Sequence, residues 1–339
     1  MTLSTSSKPN VLLLGPVEYA TTKLDQLKQI SNVIQCESKN RDEFISDLRG
    51  KYSNITNIYR TFDSINFTGL IDSDLIQHFP KSLKTISHGG AGYDAIDALP
   101  LSKRGILLSN VTVPVESPTA DTAIYLILGT MRQFQIGQKL ILNGEWKDYQ
   151  SLPIGNSPQG HVVGILGMGG IGRGIRDRLA PFGFKKILYY NRSRLSPELE
   201  KDSEYVTMDE LFQKSDVLVL ALPLNKNTRH IINEDSISKM KDGVILVNIA
   251  RGAIIDEVIL PKHLKSGKIK AFGADVFENE PKISPELYNL TNVICLPHLG
   301  TNTFEAMENM ESWTIENIIS HIETGKLKSI VPEQKHLIS

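Results

Sequence analysis

The sequence predicts an α/β protein built of two doubly wound domains. Three observations carry that expectation. Short apolar runs alternate with amphipathic stretches along almost the whole chain. From residue 160 onward those runs are β-branched and apolar on both faces, the pattern of parallel strands covered by helices on each side. The 339 residues suit about two domains, long enough to bury cores without metal or disulfide staples.

Taken in order, the first series of strands is expected at 11–14, 32–36, 55–59, 83–87 and 106–109. Polar, helix-like segments at 21–30, 41–48 and 72–79 lie between them. A long helix joins the two series. Ser117-Pro118 supplies its cap and first-turn proline, and Ala120, Ala123, Ile124, Ile127, Leu128, Met131 and Phe134 recur at helical spacing. The stretch 143–160, with Gly, Pro, Ser, Asn and Trp146 and no period, reads as a loop or arm. The second series of strands is expected at 162–166, 187–190, 217–222, 244–249, 271–276 and 293–296. Pro261 falls in the helix expected after Asp256 and should break or delay it. A last helix spans 303–322, and the tail from Pro332 reads as loose.

Charge and composition exclude several classes. Lys and Arg number 37 against 38 Asp and Glu, a net charge of −1, so no broad basic field is offered to nucleic acid or an anionic membrane. The longest apolar runs, such as 217–224, fall far short of the roughly 18–20 residues that span a bilayer. Residues 1–10 lack the apolar core of a signal peptide. Two cysteines, Cys36 and Cys295, make no disulfide framework, and Cys295 reads as a buried strand thiol. The expectation is a cytoplasmic protein with no metal site.

Seven glycines fall within 160–174, where average usage would place about one. Gly167-Met168-Gly169-Gly170-Ile171-Gly172 follows a strand and opens a helix, the setting in which G-x-G-x-x-G holds a dinucleotide. Gly167 permits the tight turn, Gly169 lets backbone N–H groups approach a pyrophosphate, and Gly172 brings the helix onto the strand. The next strand ends at Asn191-Arg192-Ser193-Arg194, where an NAD-selective site would carry Asp or Glu. Arg192 and Arg194 can pair with a 2′-phosphate and Ser193 can donate to it, which favours NADPH over NADH.

Three later strand ends carry suitable chemistry: Arg251 in Asn248-Ile249-Ala250-Arg251-Gly252, Glu280 in Asp275-Val276-Phe277-Glu278-Asn279-Glu280-Pro281, and His298 in Pro297-His298-Leu299-Gly300. Singly, each has a plainer explanation as surface charge, solvated loop or structural histidine. Together, downstream of a dinucleotide turn, they form an Arg–Glu–His set suited to reducing a keto acid. Arg60, at a strand end, reads equally as a substrate contact or a surface charge.

In this order, the glycine turn, Asn-Ile-Ala-Arg-Gly, Ala-Asp-Val-Phe-Glu-x-Glu-Pro and Pro-His-x-Gly resemble the D-isomer-specific 2-hydroxyacid dehydrogenase family, and within it the fungal glyoxylate/hydroxyacid reductases. The likeness takes in His88-Gly89-Gly90-Ala91-Gly92-Tyr93-Asp94 as well. The resemblance implies a Rossmann coenzyme domain, 113–299, inserted into a flavodoxin-like substrate domain made of 1–112 and 300–339. The active site would lie in the cleft of a homodimer joined through its coenzyme domains. It further implies NADPH-dependent reduction of small 2-oxo acids, glyoxylate and hydroxypyruvate first. Arg251 would hold the substrate and His298 would donate the proton. Glu280 would orient His298 and favour its imidazolium form, and the N–H groups of Ala91 and Gly92 would cradle the carboxylate. Asp275 would lie near the nicotinamide, with Pro223, Ile249, Arg251 and the turn from His298 to Gly300 lining the coenzyme groove beside Gly170 and Ile171. A bulkier 2-oxo acid, and a dinucleotide-sensing corepressor-like protein, are the alternatives. Asn191 counts against the second, because such sensors favour NAD(H).

Overall fold

The computed structural model describes residues 8–147 and 153–337, and two compact units emerge, Met1–Val115 with Thr303–Ser339 and Glu116–Asn302. In the first unit, strands β1 (Asn10–Leu13), β2 (Asn32–Gln35), β3 (Asn57–Arg60), β4 (Thr85–His88) and β5 (Leu107–Ser109) pair in parallel. Their order β2-β1-β3-β4-β5 is the flavodoxin-like one. Alternation along β1 divides the cores. Leu12 faces Phe44, Leu48, Leu75 and Leu101, while Val11 and Leu13 face Leu27, Ile315 and Ile318. The second of these layers is built by the helices Thr21–Ile30 and Phe304–Thr324, so the far end of the chain returns to cover this sheet. Ala20 gives the first of those helices no side-chain cap. The carboxylate of Glu311 takes its place, accepting the N–H groups of Glu18, Tyr19 and Ala20 at 3.0, 2.8 and 2.8 Å.

The second unit holds β6 (Val162–Leu166), β7 (Lys186–Tyr190), β8 (Glu204–Tyr205), β9 (Val217–Leu220), β10 (Val244–Asn248), β11 (Ile269–Ala274) and β12 (Val293–Cys295). All pair in parallel in the order β12-β11-β10-β9-β6-β7-β8. This is the Rossmann order with one strand added, and the connection reverses between β6 and β9. Val163, Ile165, Val217, Val219, Ile245 and Val247 bury one face with Ala123, Ile127 and Met131 of the helix Glu116–Arg132. Leu218, Leu220, Leu246 and Phe272 bury the other against Leu211, Ile237 and Leu264.

Several expected elements differ. The joining helix starts at Glu116, so Ser117 sits inside its first turn and accepts a hydrogen bond from Arg178 instead of capping. It stops at Arg132 because Gln133 adopts a left-handed conformation (φ 54°), and a second helix, Phe134–Leu142, follows. Phe134 therefore leaves the apolar stripe and is exposed. The expected helix 72–79 shrinks to Ser73–Ile76, capped by Asp72, with tighter turns carrying the chain on to Pro80. Pro261 delays its helix: a 3₁₀ turn Glu257–Ile259 precedes Leu260–Ser266. The tail is not loose where described, for Pro332–Leu337 is a 3₁₀ helix. There the buried Gln334 side chain accepts from Leu108 N–H and donates to the Ser102 hydroxyl and the Ile106 carbonyl. Residues 148–152 of the expected arm, the chain end 338–339 and the first seven residues lie outside the described residues.

Candidate active site

The glycine turn forms at the carboxyl end of β6. Gly167 has φ +103°, and a Cβ there would lie 2.5 Å from the Ala221 carbonyl oxygen. Gly172 opens the close approach of helix to strand, since its Cβ would meet the Gly167 oxygen at 2.2 Å. The helix Gly170–Leu179 has Gly169 at its N-cap and no side-chain cap, so its first-turn N–H groups, among them Gly170 and Ile171, keep their donors for a ligand. A Cβ on Gly169 would meet nothing within 4 Å, which leaves the turn open on that side. These residues fit the pyrophosphate of a dinucleotide. One strand over, the Asn191 side chain is turned back to accept Met168 N–H at 2.7 Å, locking the end of β7 to the turn.

Beyond Asn191 the two arginines part company. The Arg194 guanidinium grips the buried Glu200 carboxylate twice, at 2.8 and 3.0 Å, because the short helix Pro197–Glu200 folds back beneath it. Expected as a phosphate partner, it is already engaged. Arg192 and Ser193 are exposed, and Arg192 makes no ion pair among the described residues.

The Arg–Glu–His residues stand at the ends of three adjacent strands. After β10, the buried Asn248 side chain accepts Ala250 N–H at 3.1 Å and donates to the Arg251 carbonyl at 2.9 Å, fixing the backbone that carries Arg251. Arg251 itself is half-buried, with Nη1 donating to the Ala250 carbonyl at 2.8 Å. The next residue, Gly252, packs so closely on the Phe277–Glu278 peptide that a Cβ would lie 1.8 Å from it. That contact draws the Arg251 turn onto the loop after β11.

In that loop Glu280 has both oxygens engaged: one accepts Phe277 N–H at 2.9 Å, the other meets His298 Nδ1 at 2.8 Å. A carboxylate only accepts, so Nδ1 carries the proton. Burial works to raise the Glu280 carboxyl. The His298 and Phe277 hydrogen bonds, with the charges of His298 and Arg251, outweigh it and leave the group below the usual carboxylate range.

His298 has φ +56°, a left-handed conformation that strains a residue with a Cβ. Asp275 holds it there. The Asp275 carboxylate accepts Leu299 N–H at 2.6 Å and Gly300 N–H at 2.7 Å, and its carbonyl accepts His298 N–H at 2.9 Å. Burial pushes the Asp275 carboxyl up, against the pull of those two donors. Expected near the nicotinamide, Asp275 clamps the turn from His298 to Gly300 in this structure.

Two more carboxylates extend the cluster. Glu278 accepts from Arg229 at 2.6 Å and from His230 at 2.8 Å, and its N–H donates to Glu257 at 2.7 Å. Burial, with the charges of Glu278 and Glu280 added, pushes Glu257 up to about 7, against that N–H.

The remaining expected residues are scattered. Ile249 is buried in the core face of the sheet, and Pro223 is exposed, its carbonyl accepting from Thr228. Cys295 is half-buried in β12, where burial pushes its thiol up to about 11. Ala91 and Gly92 belong to the first unit, in the loop after β4, and their N–H groups take no acceptor among the described residues. Arg60 is no surface charge: it is fully buried at the end of β3. Sequence reasoning missed Asn248 and Glu257. An amide closing the apolar, β-branched run from Val244 to Val247 was the available signal for the first.

Residues 124–300 match the family model described as D-isomer specific 2-hydroxyacid dehydrogenase, NAD binding domain. The chain is 46% identical over 330 residues to 4-methyl-2-oxopentanoate reductase A of Aspergillus oryzae, covering 97% of this chain and 99% of that one. It is 44% identical to glyoxylate reductase 1 of Saccharomyces cerevisiae, covering 97% and 96%. The crystal structure of a glyoxylate reductase from Paecilomyes thermophila superposes with a TM-score of 0.93 at 43% identity, covering 97% and 99%.

Proposed function

The chain belongs to the D-isomer-specific 2-hydroxyacid dehydrogenase family, and from that premise we propose that it reduces small 2-oxo acids, glyoxylate and hydroxypyruvate among them, with NADPH. The observation that carries this reading is the Glu280–His298 pair at 2.8 Å, oriented at the same sheet edge as the glycine turn. When bound at the glycine turn, the coenzyme would supply the hydride that reduces C2 of the oxo acid. With Nδ1 committed to Glu280, Nε2 of His298 is the atom that gives a proton to the carbonyl oxygen, and the ring returns to its neutral form. Glu280 holds the ring in that orientation and stabilises its positive charge before transfer. Arg251 binds the carboxylate and carbonyl oxygens through its planar fork, which a lysine cannot present. The Ala91 and Gly92 N–H groups hold the carboxylate.

Arg192, exposed and without an ion pair among the described residues, is the residue for a 2′-phosphate. The exposed Tyr125, Phe134, Ile141, Leu142 and Trp146 favour a homodimer formed through the second unit. Two free cysteines suit a reducing compartment, and the cytoplasm is the address we assign. A branched 2-oxo acid is the second reading, favoured by the likeness to a relative named for 4-methyl-2-oxopentanoate.

The test follows oxidation of NADPH and of NADH by the purified protein with glyoxylate, hydroxypyruvate and 4-methyl-2-oxopentanoate. NADPH turnover that falls roughly 100- to 1000-fold in Arg251→Ala is expected for loss of a charged, bidentate contact. Turnover with NADH alone overturns the coenzyme assignment. Silence with every pair overturns the activity.

A further inference from the structure

The buried arginine of the first unit has no place in the chemistry above, yet it is tied to the loop that does. Arg60 and His88 end neighbouring strands and stand opposite each other in the β3–β4 register. Both are buried, at 0% and 1% exposure. Arg60 Nη1 lies 3.0 Å from His88 Nδ1, and His88 Nε2 lies 3.0 Å from the Gly92 carbonyl oxygen. Burial depresses the guanidinium to about 10, with the Asp94 charge opposing, so it stays protonated at neutral pH and can only donate. His88 Nδ1 therefore accepts, and Nε2–H donates to Gly92. The proton's place on the ring is set by the arginine behind it.

Three consecutive carbonyls of the loop are anchored toward the protein. Gly90 accepts Val111 N–H at 2.9 Å, Ala91 accepts the Asn110 side-chain amide at 2.7 Å, and Gly92 accepts His88. The peptides here are trans, and in a trans peptide the N–H points opposite to the C=O. Anchoring those carbonyls turns the N–H groups of Ala91, Gly92 and Tyr93 the other way, and none of the three finds an acceptor among the described residues. Consecutive outward N–H groups make an anion nest. Arg60 Nε and Nη2 are also buried without a hydrogen-bond partner among the described residues, and the Asp94 charge bears on the guanidinium. A guanidinium kept in the interior with two idle donors is a poor structural choice, and a field acting on a bound anion accounts for it.

We propose that Arg60 and His88 are positioning residues for a three-membered anion cradle, Ala91, Gly92 and Tyr93, whose third N–H they set, and that the anion is the carboxylate of the substrate. The choice of anion rests on the activity proposed above; the cradle does not.

The experiment measures calorimetric binding of oxamate, which has one carboxylate, and of its neutral analogue oxamide, to the coenzyme-loaded protein. KM and kcat for glyoxylate, coenzyme affinity and thermal midpoint are measured alongside. His88→Leu and Arg60→Met are expected to weaken oxamate and raise KM for glyoxylate on the order of tenfold or more, the usual effect of disturbing a hydrogen bond to a charged group. Oxamide and coenzyme binding stay unchanged. His88→Gln, whose amide can accept from Arg60 and donate to Gly92, restores most of the loss. Wild-type oxamate affinity in both His88→Leu and Arg60→Met overturns the proposal. So does a parallel loss of oxamate, oxamide and coenzyme binding that His88→Gln does not rescue. If the native protein binds oxamate in a His88-dependent way but turns over no 2-oxo acid, the cradle stands and the activity falls. If it neither turns over nor binds oxamate, both fall.

Discussion

Replacing Glu280 by Gln preserves size and removes one acceptor. In the native loop both carboxylate oxygens face donors, Phe277 N–H at 2.9 Å and His298 Nδ1–H at 2.8 Å. An amide offers one oxygen and one NH₂, so one donor must face another. With the NH₂ toward Phe277, the backbone N–H loses its acceptor and the loop shifts. With the NH₂ toward His298, Nδ1 must become an acceptor and the ring holds its single proton at Nε2 as a neutral imidazole, a far weaker acid. Both arrangements forfeit one charge-assisted hydrogen bond, about 1.5–3 kcal/mol, which corresponds to roughly a 10- to 150-fold fall in kcat. The assay is the initial rate of reduced-coenzyme oxidation with saturating glyoxylate, with coenzyme affinity measured separately. A fall in kcat at unchanged coenzyme affinity is the expected outcome. Native kcat in Glu280→Gln would refute the assignment of His298 as a proton donor oriented by its neighbour.

Two further outcomes follow from the same region and from the coenzyme turn. Glu257 has a folded-state value of about 7, above the unfolded one, so its contribution to stability is fully present below the unfolded value and is lost as pH rises through about 7. Denaturant unfolding across that window should show the native protein losing up to roughly 3 kcal/mol that Glu257→Gln does not lose, and parallel curves would refute the burial argument. At the end of β7, Arg192→Asp should lower kcat/KM with NADPH about 10- to 100-fold while sparing NADH. Arg194→Ala, whose native side chain is held by Glu200, should leave that ratio nearly unchanged. An equal effect of the two substitutions would contradict this division of labour.

Much of the architecture was legible because a strand buried on both faces must be largely apolar, as β9 is throughout and β10 is from Val244 to Val247. The strand β8 was not, since Glu204 and Tyr205 are two residues at a sheet edge, held partly by the stacking of Tyr205 on Tyr190. The end of the joining helix was hidden for a different reason: Gln133 adopts φ 54° with no glycine or proline to announce it. Within the site, residue types at strand ends pointed to Arg251, Glu280 and His298, and the structure brings the last two within hydrogen-bond distance. What holds them was invisible. The Asn248 amide and the Asp275 clamp act through hydrogen bonds to residues far along the chain or to backbone groups, and no period in the sequence encodes them. For Arg60, left open between a substrate contact and a surface charge, burial removes the surface alternative, which rests on the usually sound rule that an arginine stays at the surface.

The Glu311 carboxylate that caps the Thr21–Ile30 helix reaches across 291 to 293 residues of chain. During synthesis, β1 to β5 emerge before any other strand, yet one of the two helices that seal one face of their sheet is still to be translated. Until Phe304–Thr324 arrives, the apolar face of Val11, Leu13 and Tyr59 lacks Ile315 and Ile318, and three N–H groups wait for their acceptor. Glu116–Asn302 needs no such return of the chain and can close as it leaves the ribosome. The half of the protein that is made first is the half that finishes folding last, and it is the half whose nascent form most needs protection from aggregation.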